Sequence, residues 1–266
     1  MVRAAVVAGQ FYPGDKDNLE KELNFLVPDI KSKIKAIGAI VPHAGYMYSG
    51  AVAGEVYARL APGSTYLIIS PNHTGYGKRF ALSNEPWETP LGNVAINVDL
   101  LKNIRDGSRL IEEDPEAHIA EHSIEVQLPF IKKTAPSADV VPLTVQVGEI
   151  EELKEISEAI VLAIKTSGRD VVIISSSDMT HYESRETAEK KDKFAIDEIL
   201  DLNAKNLLSV VEEKNISMCG YIPTAIMLFC AKKLGAKYAE LVKYSDSGDV
   251  TGDIRQVVGY AGIVVS

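Results

Sequence analysis

The side chains best able to hold a metal ion or move a proton in this 266-residue sequence are its five histidines and two cysteines. Three histidines closely follow apolar, strand-like runs. His43 is two residues beyond Val41, His73 three beyond Ser70, and His181 ends "VVIISSSDMTH", with Asp178 three residues before it. In open α/β sheets, ligands bind in the crevice beyond the carboxyl ends of the strands. Imidazoles delivered there by three strands could converge as metal ligands or as a proton shuttle near neutral pH. The alternative is three unrelated loop histidines, each satisfied by water. "VPHAGY" (41–46) and "SPNHTGY" (70–76) repeat one strand-to-loop device without amounting to a duplication.

The remaining pair lies in "EAHIAEHSIEVQLPF". Its H-x-x-x-H spacing resembles that of the zincin peptidases, but those need Glu directly after the first His, and Ile119 stands there. A helix starting near Ala120 would leave His118 as an exposed loop residue. His122 would then sit early in the helix, with Glu125 one turn later. Cys219 lies in "NISMCGYIPTAIML", just before a helix whose Pro223 suits a first turn. A thiol at a helix N-terminus has a lowered pKa and more of the metal-binding thiolate; an inert thiol is the other reading. Cys230 falls inside the apolar helix and reads as core.

Other chemistries lack their motifs. There is no G-x-x-x-x-G-K-[ST] phosphate loop, no G-x-G-x-x-G after a strand and no G-x-S-x-G elbow. "SDSGDVTGD" (245–253) lacks the order and terminal Glu of a calcium loop and reads as a turn-rich connection.

The elements that must position these residues alternate in type. Strands are predicted at Ala36–Val41, Thr65–Ser70, Asn93–Val98, Ala138–Val145, Asp170–Ser175, Tyr238–Tyr244 and Gln256–Val265, each short and rich in Val, Ile or Leu. Apolar spacing of three and four predicts helices at Asp17–Leu26, Ala51–Leu60, Ile119–Lys132, Ile150–Thr166, Thr187–Leu202 and Tyr221–Leu234. Such alternation predicts an α/β fold, with a largely parallel or mixed sheet flanked by helices. No linker or shift in composition interrupts it, so residues 1–266 read as a single domain.

Composition narrows the function classes. With 28 basic and 37 acidic residues the net charge is −9, and no basic stripe is present to bind nucleic acid. The apolar runs fall well short of the roughly 20 residues that span a membrane. The first residues turn polar too early for a signal peptide. Two cysteines are too few for a disulfide framework, which suggests a reducing, cytoplasmic location.

Taken together, "AGQFYP" (8–13), "VPHAGYMYSG" (41–50), "SPNHTG" (70–75), "TPLG" (89–92), "EHSIEVQLPF" (121–130), "SSSDMTHY" (175–182) and "CGYIP" (219–223) resemble the Memo family over nearly the whole chain. The resemblance implies a fold like that of the class III extradiol dioxygenases, non-haem iron enzymes of α/β architecture. It implies that His43 and His73 face a metal and that Cys219 fills the third ligand position, where the dioxygenases place a carboxylate or another His. It makes His181 the base, Asp178 the acid beside it and His122 a further, substrate-side imidazole. The implied cofactor is a divalent metal, Fe(II) first and Cu or Zn as alternatives, because a site of two imidazoles and a thiolate is softer than the 2-His-1-carboxylate site of ring cleavage. The expected function is a metal-dependent oxidoreductase, dioxygenase- or oxidase-like, acting on a small molecule. The alternative is a non-catalytic metal carrier or an adaptor holding a short peptide in the same pocket.

Overall fold

The computed structural model describes residues 1–266. Nine strands form one mixed sheet: β1 (Gly38–Val41), β2 (Thr65–Pro71), β3 (Phe80–Leu82), β4 (Glu112–Glu113), β5 (Asp139–Val145), β6 (Val171–Ser176), β7 (His181–Glu183), β8 (Ala239–Asp246) and β9 (Val257–Val265). They run in the order β4-β3-β5-β2-β6-β1-β9-β7, and β8 also pairs with β9. The centre is parallel: β1 and β2 flank β6, and β5 follows on the far side of β2. The β9 pairings are antiparallel. The central strands are buried along almost their whole length, as expected of strands covered on both faces.

The helices are α1 (Lys16–Leu26), α2 (Tyr46–Arg59), α3 (Val98–Asp106), α4 (Leu128–Thr134), α5 (Ile150–Ser167), α6 (Arg185–Leu200), α7 (Ala204–Glu213), α8 (Tyr221–Leu234) and the single turn α9 (Gly248–Thr251). Local chemistry sets their starts. Asp15, Asn97, Ser184 and Asn203 each accept a first-turn backbone N–H with the side chain, and Glu149 with Glu152 forms a capping box on α5. One core packs α3, α5, α6, α7 and α8 against the sheet, with Ile40, Ile69, Leu143 and Ile173 at its centre. The opposite face packs α1, α2 and α4 through Val41, Tyr57, Ile68 and Phe130.

Two expected elements differ. Asn93–Val98 forms only isolated bridges, Trp87 to Val94 and Ile96 to Val140, because Asn97 is already the cap of α3. The continuous helix expected over Ile119–Lys132 is instead two 3₁₀ turns, Pro115–His118 and Glu125–Gln127, followed by the short α4. Side chains in this stretch bind backbone groups elsewhere, and regular i→i−4 bonding gives way to them. Helices α3 and α7 and the short strands β3, β4 and β7 lie outside the elements predicted from apolar patterning.

Register aligns the strand ends that matter. Val41 pairs with Ser176, and Ile69 with Ser175. The loops leaving β1, β2 and β6 therefore start side by side at the carboxyl edge of the sheet, and these loops carry His43, His73 and Asp178.

Candidate metal centre

His43 and His73 lie ring to ring, with centroids 5.2 Å apart in an edge-on arrangement. The ring of His122 lies 4.9 Å from that of His73 and 5.5 Å from that of His43. One ring nitrogen from each of the three falls within 4.8 Å of the others. Tetrahedral bonds of about 2.0–2.1 Å need ligand atoms about 3.3 Å apart, so these rings would need only small inward shifts to hold an ion together. His122, expected on the substrate side, supplies a third nitrogen to the group. Cys219 Sγ lies 3.2 Å from His43 Nε2. Imidazoles and a thiol are the donors of a zinc, copper or iron site, whereas hard, all-oxygen ions favour other ligands.

The strand-end rings are anchored through Nδ1. The Nδ1 of His73 lies 3.0 Å from Glu121 Oε1, and its backbone N–H donates to Glu121 Oε2 at 2.6 Å. Glu121 is fully buried and also accepts from Ser123 N–H and Oγ. Burial raises the cost of charging this carboxyl, but the His73 and Ser123 hydrogen bonds outweigh it and hold its pKa well below the usual carboxylate range. Burial likewise opposes a charge on His73, while the Glu121 bond and charge carry its pKa above the ordinary value. A carboxylate behind an imidazole is the arrangement that orients metal-binding histidines. His43 Nδ1 meets Ser176 Oγ at 2.9 Å. Burial, then the neighbouring imidazoles His73 and His122, push its pKa well below 6.5, so the ring stands neutral. Burial also lowers His122, whose ring packs on Phe11 at 4.9 Å.

Asp178 is buried, and its Oδ1 accepts the His43 backbone N–H at 2.8 Å. Burial raises its pKa to about 6, although that hydrogen bond opposes the shift. Its own N–H points at Cys219 Sγ at 3.2 Å. Cys219 is seated by Gly220, where an added Cβ would lie 2.4 Å from Ser177 Cβ and 2.5 Å from the Ser176 carbonyl. The expected lowering of the Cys219 pKa is reversed. Burial, then the charge of Asp178, pushes the thiol up, because enclosure outweighs the nearby start of α8. Cys230 is core, as expected.

His181 stands at the start of β7, partly exposed, with Nδ1 2.8 Å from the Ser217 carbonyl. A carbonyl only accepts, so Nδ1 carries the proton and Nε2 is left with its lone pair. The next residue, Tyr182, is exposed and held at φ 59°. The reading of His118 as an exposed loop residue is overturned. It is fully buried against Trp87, and its Nε2 lies 3.0 Å from the Ala81 carbonyl.

Sequence patterning missed the supporting residues: Phe11, Glu121, Ser176, Gln127 and Ser217. One signal was available. Glu121 and Glu125 interrupt an apolar stretch, and a carboxylate in such a place must find donors. Glu125 finds Arg3, Tyr12 and the N–H groups of Val6 and Val7. These bonds draw the N-terminal segment, and with it Phe11, across the site.

A profile of the Memo family, described as "Memo-like protein", matches residues 3–264. Relatives carrying the name "MEMO1 family protein" include one from Methanosarcina acetivorans, 42% identical over 266 residues with 99% of each chain covered. Another, from Methanococcoides burtonii, is 45% identical over 267 residues, covering 99% of this chain and 100% of its own. A third, from Sulfurisphaera tokodaii, is 40% identical over 281 residues and 99% of each chain. Among solved structures, an uncharacterized protein from Escherichia coli K12 shares the fold with a TM-score of 0.58. It is 10% identical and covers 85% of this chain and 98% of its own.

Proposed function

The chain belongs to the Memo family, and from that premise we propose that it is a metal-dependent oxidoreductase acting on a small molecule, with a dioxygenase- or oxidase-like centre. The observation that carries this reading is the convergence of the His43, His73 and His122 nitrogens within 4.8 Å at the carboxyl edge of the sheet. In this reading His43 and His73 hold a divalent ion, Fe(II) first and Cu or Zn as alternatives. Cys219 completes the set as a thiolate, and His122 is the further imidazole at the substrate face or a fourth donor. When bound, such an ion supplies Lewis acidity and, if redox-active, electrons to oxygen. The protein's own groups do the rest. His181 Nε2, free of other partners, accepts a proton from a substrate hydroxyl. Asp178 fixes the turn carrying His43 by accepting the His43 backbone N–H. Phe11 covers His122 and helps exclude water.

A second reading, a non-catalytic metal carrier or short-peptide adaptor, draws support from Cys219. A thiol beside His43 Nε2 suits soft-ion carriage, and it puts an oxidisable group next to any oxygen chemistry. Metal analysis of protein purified without chelator, followed by oxygen uptake on adding catechols to Fe(II)-loaded protein, separates the two. Substrate-dependent uptake that vanishes in His181→Ala is the expected result. Tight metal binding with no uptake for Fe or Cu would leave carriage as the function. No binding of any of the three metals would remove the oxidoreductase and the metal carrier, and leave the short-peptide adaptor.

A further inference from the structure

We infer that Ser176 is a positioning residue that fixes the tautomer of His43, presenting Nε2 as the nitrogen with the lone pair. This deepens the metal-centre reading, on which only its affinity arm rests. A serine hydroxyl can donate or accept, so its contact with His43 Nδ1 does not by itself say which nitrogen holds the proton. The surroundings remove the ambiguity. The single proton of Ser176 Oγ goes to the Ser123 carbonyl at 2.7 Å, which can only accept. The Gln127 amide donates to Ser176 Oγ at 2.9 Å. Which end of Gln127 does this is settled as well. Its Nε2 also donates to the Pro42 carbonyl at 3.0 Å, and its Oε1 receives the Tyr57 hydroxyl at 3.0 Å.

With its proton committed and one donor already received, Ser176 Oγ can meet His43 Nδ1 at 2.9 Å only as an acceptor. The proton therefore sits on Nδ1, and the lone pair of Nε2 faces Cys219 Sγ and the other imidazoles. Every member of the chain Tyr57–Gln127–Ser176–His43 is buried, so water does not compete for these bonds. The chain reaches the site from α2 through the 3₁₀ turn Glu125–Gln127 to the end of β6. The fold thus holds one ligand of the centre in its binding form before any ion arrives. His73 gets the same service from a carboxylate and His181 from a carbonyl; at His43 an ambivalent hydroxyl does it, made unambiguous by Gln127 and Ser123.

The test is ¹⁵N NMR of metal-free protein with labelled histidine, at a pH where His43 is neutral, on wild type and Ser176→Ala. Wild type should show His43 as the pure Nδ1–H tautomer, and Ser176→Ala should show a mixture or the Nε2–H form. Zn(II) affinity, measured by competition with a chromophoric chelator, should fall about ten- to hundredfold in Ser176→Ala, with circular dichroism unchanged. Gln127→Met, which keeps the length but not the donor, should shift the tautomer less than Ser176→Ala. A wild-type His43 protonated on Nε2, or a tautomer unmoved in Ser176→Ala, would overturn the inference; the first result needs no variant to fold. If wild type binds no metal, the metal-centre reading fails while the tautomer measurement still decides the role of Ser176.

Discussion

The Cys219 thiol and the His118 ring both titrate against the enclosure the fold imposes on them. The Cys219 thiol is held protonated by burial, so an ion that binds it must displace a proton, and protons also compete for the imidazoles. Affinity should therefore rise with pH in wild type about tenfold more steeply per pH unit than in Cys219→Ser. If the sulfur is a direct ligand, that variant should lose more than the roughly hundredfold of an outer contact. Equal affinity for Fe(II), Zn(II) and Cu in both proteins would exclude sulfur as a ligand. Cys230→Ser should leave affinity unchanged and cost about 1–3 kcal/mol in stability, because it buries a hydroxyl in the core between α5 and α8.

For His118, burial lowers the pKa to about 4, against the opposing effect of its bond to the Ala81 carbonyl. The unfolded chain has the ordinary value of about 6.5. Between these values the unfolded state binds a proton that the folded state refuses. The contribution to stability is therefore complete above about pH 6.5 and is lost as pH falls toward 4, by up to about 3 kcal/mol. Urea titrations from pH 7 to 4 should show this loss in wild type and a flatter profile in His118→Gln. Parallel profiles would mean that the histidine is not buried in solution.

At the scale of the element, the turn before α8 depends on a missing side chain. Gly220 lies so close to Ser177 that a methyl group there would overlap Ser177 Cβ and the Ser176 carbonyl, while its N–H donates to Ser177 Oγ at 3.0 Å. Gly220→Ala should push this turn away from the end of β6. The expected costs are about 1–3 kcal/mol of stability and a loss of metal affinity, since Cys219 and the Ser176 region separate together. Thermal melts and Zn(II) competition on that variant would test the coupling; full affinity would show that the turn adjusts without moving Cys219. The 118–134 segment illustrates the same dependence from the other side. Its apolar spacing suits a helix, but Glu121, Ser123 and Gln127 bond to partners on other loops and strands, and the backbone follows those bonds.

For the whole molecule, the centre ties together segments far apart in sequence, from the loops after β1, β2 and β6 to the 118–127 stretch and the turn before α8. An ion bound there binds the folded chain and not the unfolded one, so stability should rise with free metal. At about a hundred times the dissociation constant the gain is about 2.7 kcal/mol, roughly 5–10 °C in melting temperature for a chain of this length. Scanning calorimetry with and without chelator measures it, and melting curves that superimpose would argue against a metal site coupled to the fold. No helix is long and apolar enough to cross a membrane.

By itself the sequence determined the α/β class, most of the buried strands and the segments that carry His43, His73, Asp178, His181 and Cys219. Runs of β-branched residues can be satisfied only by a sheet covered on both faces, and the loops after such strands share one edge. Only the tertiary structure decided that His122 joins the two strand-end histidines, that His118 is buried, that enclosure raises rather than lowers the Cys219 thiol pKa, and that Glu121 and Ser176 stand behind the imidazoles. Periodicity records how a segment meets the core. It does not record where a polar side chain finds its hydrogen-bond partner, because that partner lies dozens of residues away. Burial and charge at such a point are set by the neighbours that packing brings in.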